Sequence, residues 1–231
     1  MFERYTLTIT PQDFAARFNV DASPSYKPRY NAAPTQLLPV ITSGSDGVSW
    51  FYWGRSAGSA RNRSLSEKIV NLKAETLLER PVLKRALMKH RCIVPADGFY
   101  CWKKVGKKTA VPYRCVVNDQ KAFSFPAIWE EFENAEGETE HTFTIITIPS
   151  NSIISNITDR MPVILNETSE RVWLNSDGNE KVLMDTLQEY LPEHMNLYTV
   201  SPRINDLKLD VASLIVHTPP SDQHGNLTLF D

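Results

Sequence analysis

Three thiols, five imidazoles and a concentrated run of cations are the groups in this chain best suited to chemistry. The thiols are Cys92, Cys101 and Cys115, and the imidazoles are His90, His141, His194, His217 and His224. A cysteine attacks a carbonyl only as thiolate, so it needs a cation or a helix N-terminus nearby. The cysteines are odd in number and lack Cys-x-x-Cys spacing, and the histidines form no i, i+4 pair. A zinc centre or a disulfide framework is therefore not expected, and no cofactor is. Cys92 and Cys115 sit in apolar strand-like runs and read as small hydrophobes.

Charge says more by distribution than by sum. The net charge is −2, yet residues 55–91 hold ten Lys/Arg against Glu67, Glu75 and Glu79. Residues 130–140 hold six glutamates and no base. A locally basic face binds phosphates even on a mildly acidic chain, because screening limits the reach of distant charge. Hydrophobic content of 42% supplies a core. No apolar run reaches membrane-span length, and Glu3, Arg4, Asp13 and Arg17 break any leader-like segment. A soluble cytoplasmic protein is expected, without a membrane partner.

These groups must be positioned by mostly short strands. Residues 4–9 alternate and are β-branched, and 48–53 is dense in aromatics; both read as strands. Thr10-Pro11 opens a short helix as cap and first residue. Helices are expected at 74–79, 81–89, 166–174 and 180–190. Strands are expected at 92–94, after a turn at 95–98, at 113–117, 122–129, 141–148 and 196–201, with a hairpin tip at 134–137. The expected class is α+β: a single domain with a curved antiparallel sheet or open β-barrel and short flanking helices. The domain is set at 1–209, with 210–231 as a C-terminal surface extension rich in Pro, Asp and Gly.

Four stretches carry a family resemblance. They are Arg4-Tyr5-Thr6-Leu7 with Tyr30-Asn31-Ala32-Ala33-Pro34-Thr35-Gln36, Asn71-Leu72-Lys73-Ala74-Glu75-Thr76, Cys92 to Trp102 with its Pro95-Ala96-Asp97-Gly98-Phe99-Tyr100-Cys101-Trp102, and Thr158-Asp159-Arg160-Met161-Pro162-Val163-Ile164-Leu165. In this order they resemble the SRAP family (SOS response-associated peptidase), the abasic-site shield proteins. The resemblance implies the same fold class and a partner of single-stranded or junction DNA bearing abasic sites. It also implies a reaction: an N-terminal cysteine forms an imine with the sugar aldehyde and closes a thiazolidine ring, with a carboxylic acid and an imidazole moving protons.

At each reacting position this chain differs. Phe2 stands where the resemblance places the nucleophile, Cys101 where it places the acid in Gly-Phe-Tyr-Glu-Trp, and Thr158 where it places the histidine. Phe2 should also leave Met1 uncut, so no 1,2-aminothiol is expected. Asn71 is retained, with an implied role in positioning nucleophile and sugar or a plain role in satisfying a loop backbone. The resemblance implies DNA contacts for Arg4, Asn31, Pro34, Trp53, Lys73 and Arg160. Their plainer roles are a solvated charge for Arg4, a turn for Asn31 and Pro34, core packing for Trp53 and a salt bridge for Arg160. Lys73 replaces an arginine and loses its fork. The leading expectation is a DNA-binding, catalytically degenerate member that has lost crosslinking and autopeptidase activity. The alternatives are an enzyme acting through Cys101 or the N-terminal amine, and a non-enzymatic interaction module using residues 130–140.

Overall fold

The long apolar runs near the middle of the chain close a barrel around the aromatic residues of its first third. A computed structural model describes residues 2–21, 24–54, 70–107, 109–118, 121–133, 136–175, 177, 179–222, 224, 226 and 227. In chain order the described elements begin with β1 (Tyr5–Leu7), α1 (Pro11–Phe18), β2 (Arg29–Ala32), β3 (Leu37–Thr42), β4 (Ser49–Trp53), β5 (Asn71–Lys73) and α2 (Pro81–Lys89). They continue with β6 (Arg91–Ala96), β7 (Gly98–Lys104), β8 (Ala110–Val117), β9 (Phe123–Glu133), β10 (Thr139–Pro149), β11 (Arg160–Pro162), α3 (Glu167–Leu174), α4 (Glu180–Asp185) and β12 (Met195–Thr199).

Strands β10, β4, β3, β6 and β9 pair in sequence, and β9 pairs back onto β10, so the ring closes. The curved sheet expected from sequence is thus a closed five-stranded barrel. All its pairings are antiparallel except β10 with β4. Closure removes edges that would otherwise be open to other chains. Strands β5 and β11 both attach to β10. A second, antiparallel sheet runs β12-β8-β7-β1-β2. It stands against the barrel, and β6 and β7 pass from one sheet to the other through Asp97.

Local chemistry accounts for the helices. Thr10 caps α1 by accepting from the Asp13 N–H, Pro11 sits in its first turn, and Asn19 ends it in the left-handed region at φ 52°. Asn166 and Ser169 form a reciprocal capping box on α3. Arg91 is buried, and among the described residues no carboxylate pairs with it. Its guanidinium donates to Leu87 O, Met88 O, Trp173 O and Asn175 O, and so ties the C-terminal ends of α2 and α3 together.

Three expectations change. Residues 74–79 hold only a 3-10 turn at Ala74–Thr76, because Asn71–Lys73 is already committed to pairing with β10. The helix expected at 180–190 stops at Asp185. The segment after Leu209 does not simply trail on the surface. Asp210 accepts from the Tyr30 and Asn31 N–H groups and pairs with Arg29, Leu214 joins a small core with Tyr100, Val200 and Ile204, and Thr218 bonds Thr199. Residues 134 and 135 of the expected hairpin tip lie outside the described residues.

Candidate active site around residue 2

Phe2 is the hub of the candidate site. It lies three residues before β1 with its side chain 3% exposed. Its ring sits 5.3 Å from Phe125, 5.5 Å from Trp53 and 5.8 Å from Phe99, centroid to centroid. Full burial of such a ring contributes about 1.5–3 kcal/mol, and aromatic pairs add roughly 0.5–1.5 kcal/mol each. A polar, reactive side chain here would be surrounded by apolar rings. The position is packed as core.

Asn71 meets this hub from β5. Its Nδ2 donates to the Phe2 carbonyl, while its Oδ1 is buried without a hydrogen-bond partner. Arg4 shows a similar imbalance. One Nη1 donor reaches Glu3 O at 2.7 Å, but Nε is buried and unpartnered. Burial pushes the Arg4 pKa down, with the Glu3 charge opposing. An unpartnered donor and acceptor, two residues either side of the hub in contact or sequence, are groups that a ligand can satisfy. Lys73 stands exposed on the same β5 strand, opposite Thr147.

Cys101 follows Phe99 by two residues on β7, so both share a face. It is 4% exposed, and the Cys115 thiol lies against it at a sulfur–sulfur distance of 3.8 Å. The hydrogen bond to Cys101 and then burial push the Cys115 thiol well up. Among the described residues no hydrogen bond or ion pair joins Cys101 to a cation or an imidazole. Thr158 is half-buried in the turn before β11, where its N–H bonds Ile154 O at 3.1 Å. It joins the site indirectly, two residues from Arg160. Arg160 donates to both Glu75 oxygens at 2.9 and 3.0 Å, and Glu75 belongs to the Asn71 segment. With all three cysteines buried, a thiol-reactive aromatic disulfide should label well under one thiol per folded chain and three after unfolding. Rapid labelling of Cys101 in the folded chain would revive the thiol route.

Three residues expected to touch DNA have other work. Trp53 is fully buried and its Nε1 donates to Val70 O at 2.8 Å, so its ring offers no face to a base. Asn31 is buried and its Nδ2 reaches the Ile204, Asp206 and Leu209 carbonyls at 3.3, 3.1 and 2.9 Å. It fastens the C-terminal segment to β2. Pro34 occupies the second place of a turn closed by Gln36 N–H to Ala33 O, with Thr35 at φ 68°. Residues 55–69 of the basic run lie outside the described residues.

Sequence reading missed a buried ion pair that holds β1. Asp97 accepts from Thr6 Oγ1 and Thr8 Oγ1 at 2.6 Å each and from the Thr8 N–H, and Arg114 Nη2 donates to it at 3.2 Å. Arg114 also donates to Thr6 Oγ1 and to the Tyr198 hydroxyl. The signal was an arginine inside an apolar strand at 113–117. Gly98 fits this cluster because a Cβ there would stand 2.8 Å from both Arg114 Nε and Thr6 Oγ1. Gly98→Ala should therefore cost about 1–3 kcal/mol in urea unfolding. An unchanged midpoint would show that the cluster yields freely.

A large cavity of about 830 Å³ lies elsewhere, between α1, Phe123, Leu165 and Tyr190. No cluster of metal-ligating side chains occurs among the described residues.

Comparison with known proteins bears on this geometry. Residues 1–207 match the family model described as SOS response associated peptidase (SRAP). The chain is 36% identical to the abasic site processing protein YoqW of Bacillus subtilis over 93% of this chain and 99% of that one. It is 29% identical to the abasic site processing protein HMCES of Xenopus tropicalis over 80% of this chain and 64% of that one. A crystal structure of a protein from Bacteroides thetaiotaomicron superposes with a TM-score of 0.80 at 26% identity, covering 93% of this chain and 99% of that one.

Proposed function

The chain belongs to the SRAP family, and on that premise we propose that it grips single-stranded or junction DNA at abasic sites without forming the thiazolidine crosslink. The carrying observation is the packing of Phe2. A ring with three aromatic neighbours occupies the nucleophile position that the resemblance implies, while Asn71 still holds the carbonyl of residue 2. Its free Oδ1 and the unpartnered Nε of Arg4 are the groups left for a sugar hydroxyl and a phosphate. Cys101 is buried against Cys115 and a threonine stands at 158, so neither position offers the carboxylic acid and imidazole that the resemblance places there.

The proposed DNA grip is electrostatic and therefore salt-dependent. Lys73 is an exposed cation two residues from Asn71 on β5. Removing one phosphate contact to a single strand should lower the log–log salt slope by about 0.7. Lys73→Ala should show that change in gel shifts across a salt series, with strands containing or lacking an abasic site. Absence of salt-sensitive binding by the unmodified chain to either strand would end the proposal. No helix among the described residues is long and apolar enough to cross a membrane. A DNA-associated cytoplasmic location agrees with this reading.

A further inference from the structure

We propose that Asp210 is a positioning residue: through Arg29 and Gln36 it sets the turn at 33–36, and so the rim of the site around Phe2. For its DNA measurements this inference rests on the DNA-binding reading above.

One carboxylate holds both flanks of the turn. Asp210 Oδ1 accepts from the Tyr30 and Asn31 N–H groups at 2.6 and 2.9 Å, which fixes the chain before the turn. Its Oδ2 accepts from Arg29 Nε at 2.6 Å, and Arg29 Nη2 donates on to Gln36 Oε1 at 2.5 Å. The same Gln36 oxygen accepts from the Ala33 N–H at 3.1 Å, across the turn. The planar fork lets one arginine serve both partners at once. Asp210 itself is the first residue past the domain boundary expected from sequence.

The turn needs such ties. Thr35 sits at φ 68°, a left-handed conformation that a β-branched residue keeps only where its surroundings impose it. Thr35 is exposed and Pro34 half-buried, so this turn meets solvent. It also leads directly to the hub. The Thr35 N–H donates to Trp53 O at 2.9 Å, and the Trp53 N–H donates to Gln36 O at 3.1 Å. The Trp53 ring then lies 5.5 Å from the Phe2 ring. The side chains of Arg29 and Asp210 are 24% and 30% exposed, so the pair adds little to global stability. Its effect is on local geometry.

Exchange of backbone amides, followed by NMR, tests the tie without DNA. D210N and Q36L should each speed exchange of the Thr35 and Trp53 N–H groups by about tenfold, the worth of one hydrogen bond to a charged group. The Ile145 amide of β10, bonded to Val70 O, should keep its protection. Q36E retains the acceptor oxygen and should leave Thr35 and Trp53 protected. Q36L alters only the turn, so it carries the test should D210N disturb the C-terminal segment. Binding to an abasic single-stranded oligonucleotide should weaken by about tenfold in D210N and Q36L, and the double variant should be no worse than either. The salt slope should stay unchanged, because no phosphate contact is removed. If Arg29 is instead a phosphate ligand that Asp210 restrains, D210N should bind as tightly or more tightly, and R29Q should lose about 0.7 of salt slope. That pattern overturns the inference, as do Thr35 and Trp53 amides left unchanged in both variants. Loosened amides with unchanged affinity overturn it too, since the turn would then serve the fold alone. If the unmodified chain binds no DNA, the functional reading fails by itself, and the exchange result still decides whether Asp210 sets the turn.

Discussion

Asp97→Ala should lower folding stability by about 3–5 kcal/mol, a large share of the roughly 5–15 kcal/mol that holds a domain together. The side chains of Asp97 and Arg114 are each 3% exposed. Removing the carboxylate leaves a guanidinium desolvated with only the hydroxyls of Thr6 and Tyr198 and a weak contact to the Asp97 carbonyl. It also strips Thr8 of the acceptor for both its N–H and its hydroxyl. The damage should reach the candidate site, because Thr6 lies within β1 and Thr8 just after it, and β1 follows directly on Arg4 and three residues after Phe2. Arg114→Met should cost comparably, and pairing it with Asp97→Leu should recover part of the loss, since an uncharged pair avoids an orphaned charge. Urea unfolding of the four chains provides the test. A loss under about 1 kcal/mol in Asp97→Ala would mean that the pair contributes like an exposed one.

How much of this was legible beforehand depended on period and on reach. The barrel strands β9 and β10 were readable because eleven-residue segments are long enough to show their apolar pattern. β5 and β11 were not, since three residues cannot display a period, and they exist only because β10 offers an edge on which to pair. The substituted positions Phe2, Cys101 and Thr158 were legible from motif context alone. The fates of Asn31 and Trp53 were not. An asparagine in a turn-rich stretch signals polarity, but its partners are carbonyls some 170 to 180 residues away. A tryptophan reads alike whether it stacks on a base or fills a barrel, and only closure of the ring decides. Arg160 shows the same limit, because Glu75 lies 85 positions earlier.

Restoring the missing chemistry should be possible only in concert, and this has the largest expected effect on activity. The chain as it stands should give no heat-stable, borohydride-independent adduct with an abasic oligonucleotide. Phe2→Cys supplies a thiol, and a small second residue favours removal of the leading methionine, which intact mass would verify. That substitution also empties an aromatic site, where Phe→Ala changes cost about 3–5 kcal/mol, so a clear drop in melting temperature is expected. Without an acid to open the sugar and a base to move protons, the adduct should form slowly. General acid–base groups contribute typically 10²- to 10⁴-fold, so F2C/C101E/T158H should crosslink faster than F2C by about that factor. The buried surroundings of Cys101 favour the attempt. A glutamate placed there would be desolvated and its pKa raised, keeping it protonated near neutral pH as a proton donor must be. Denaturing gels over time on the three chains give the comparison. A heat-stable adduct on the unsubstituted chain would show that Phe2 is no barrier, and equal rates for the single and triple variants would show that Cys101 and Thr158 do not stand where acid and base are needed.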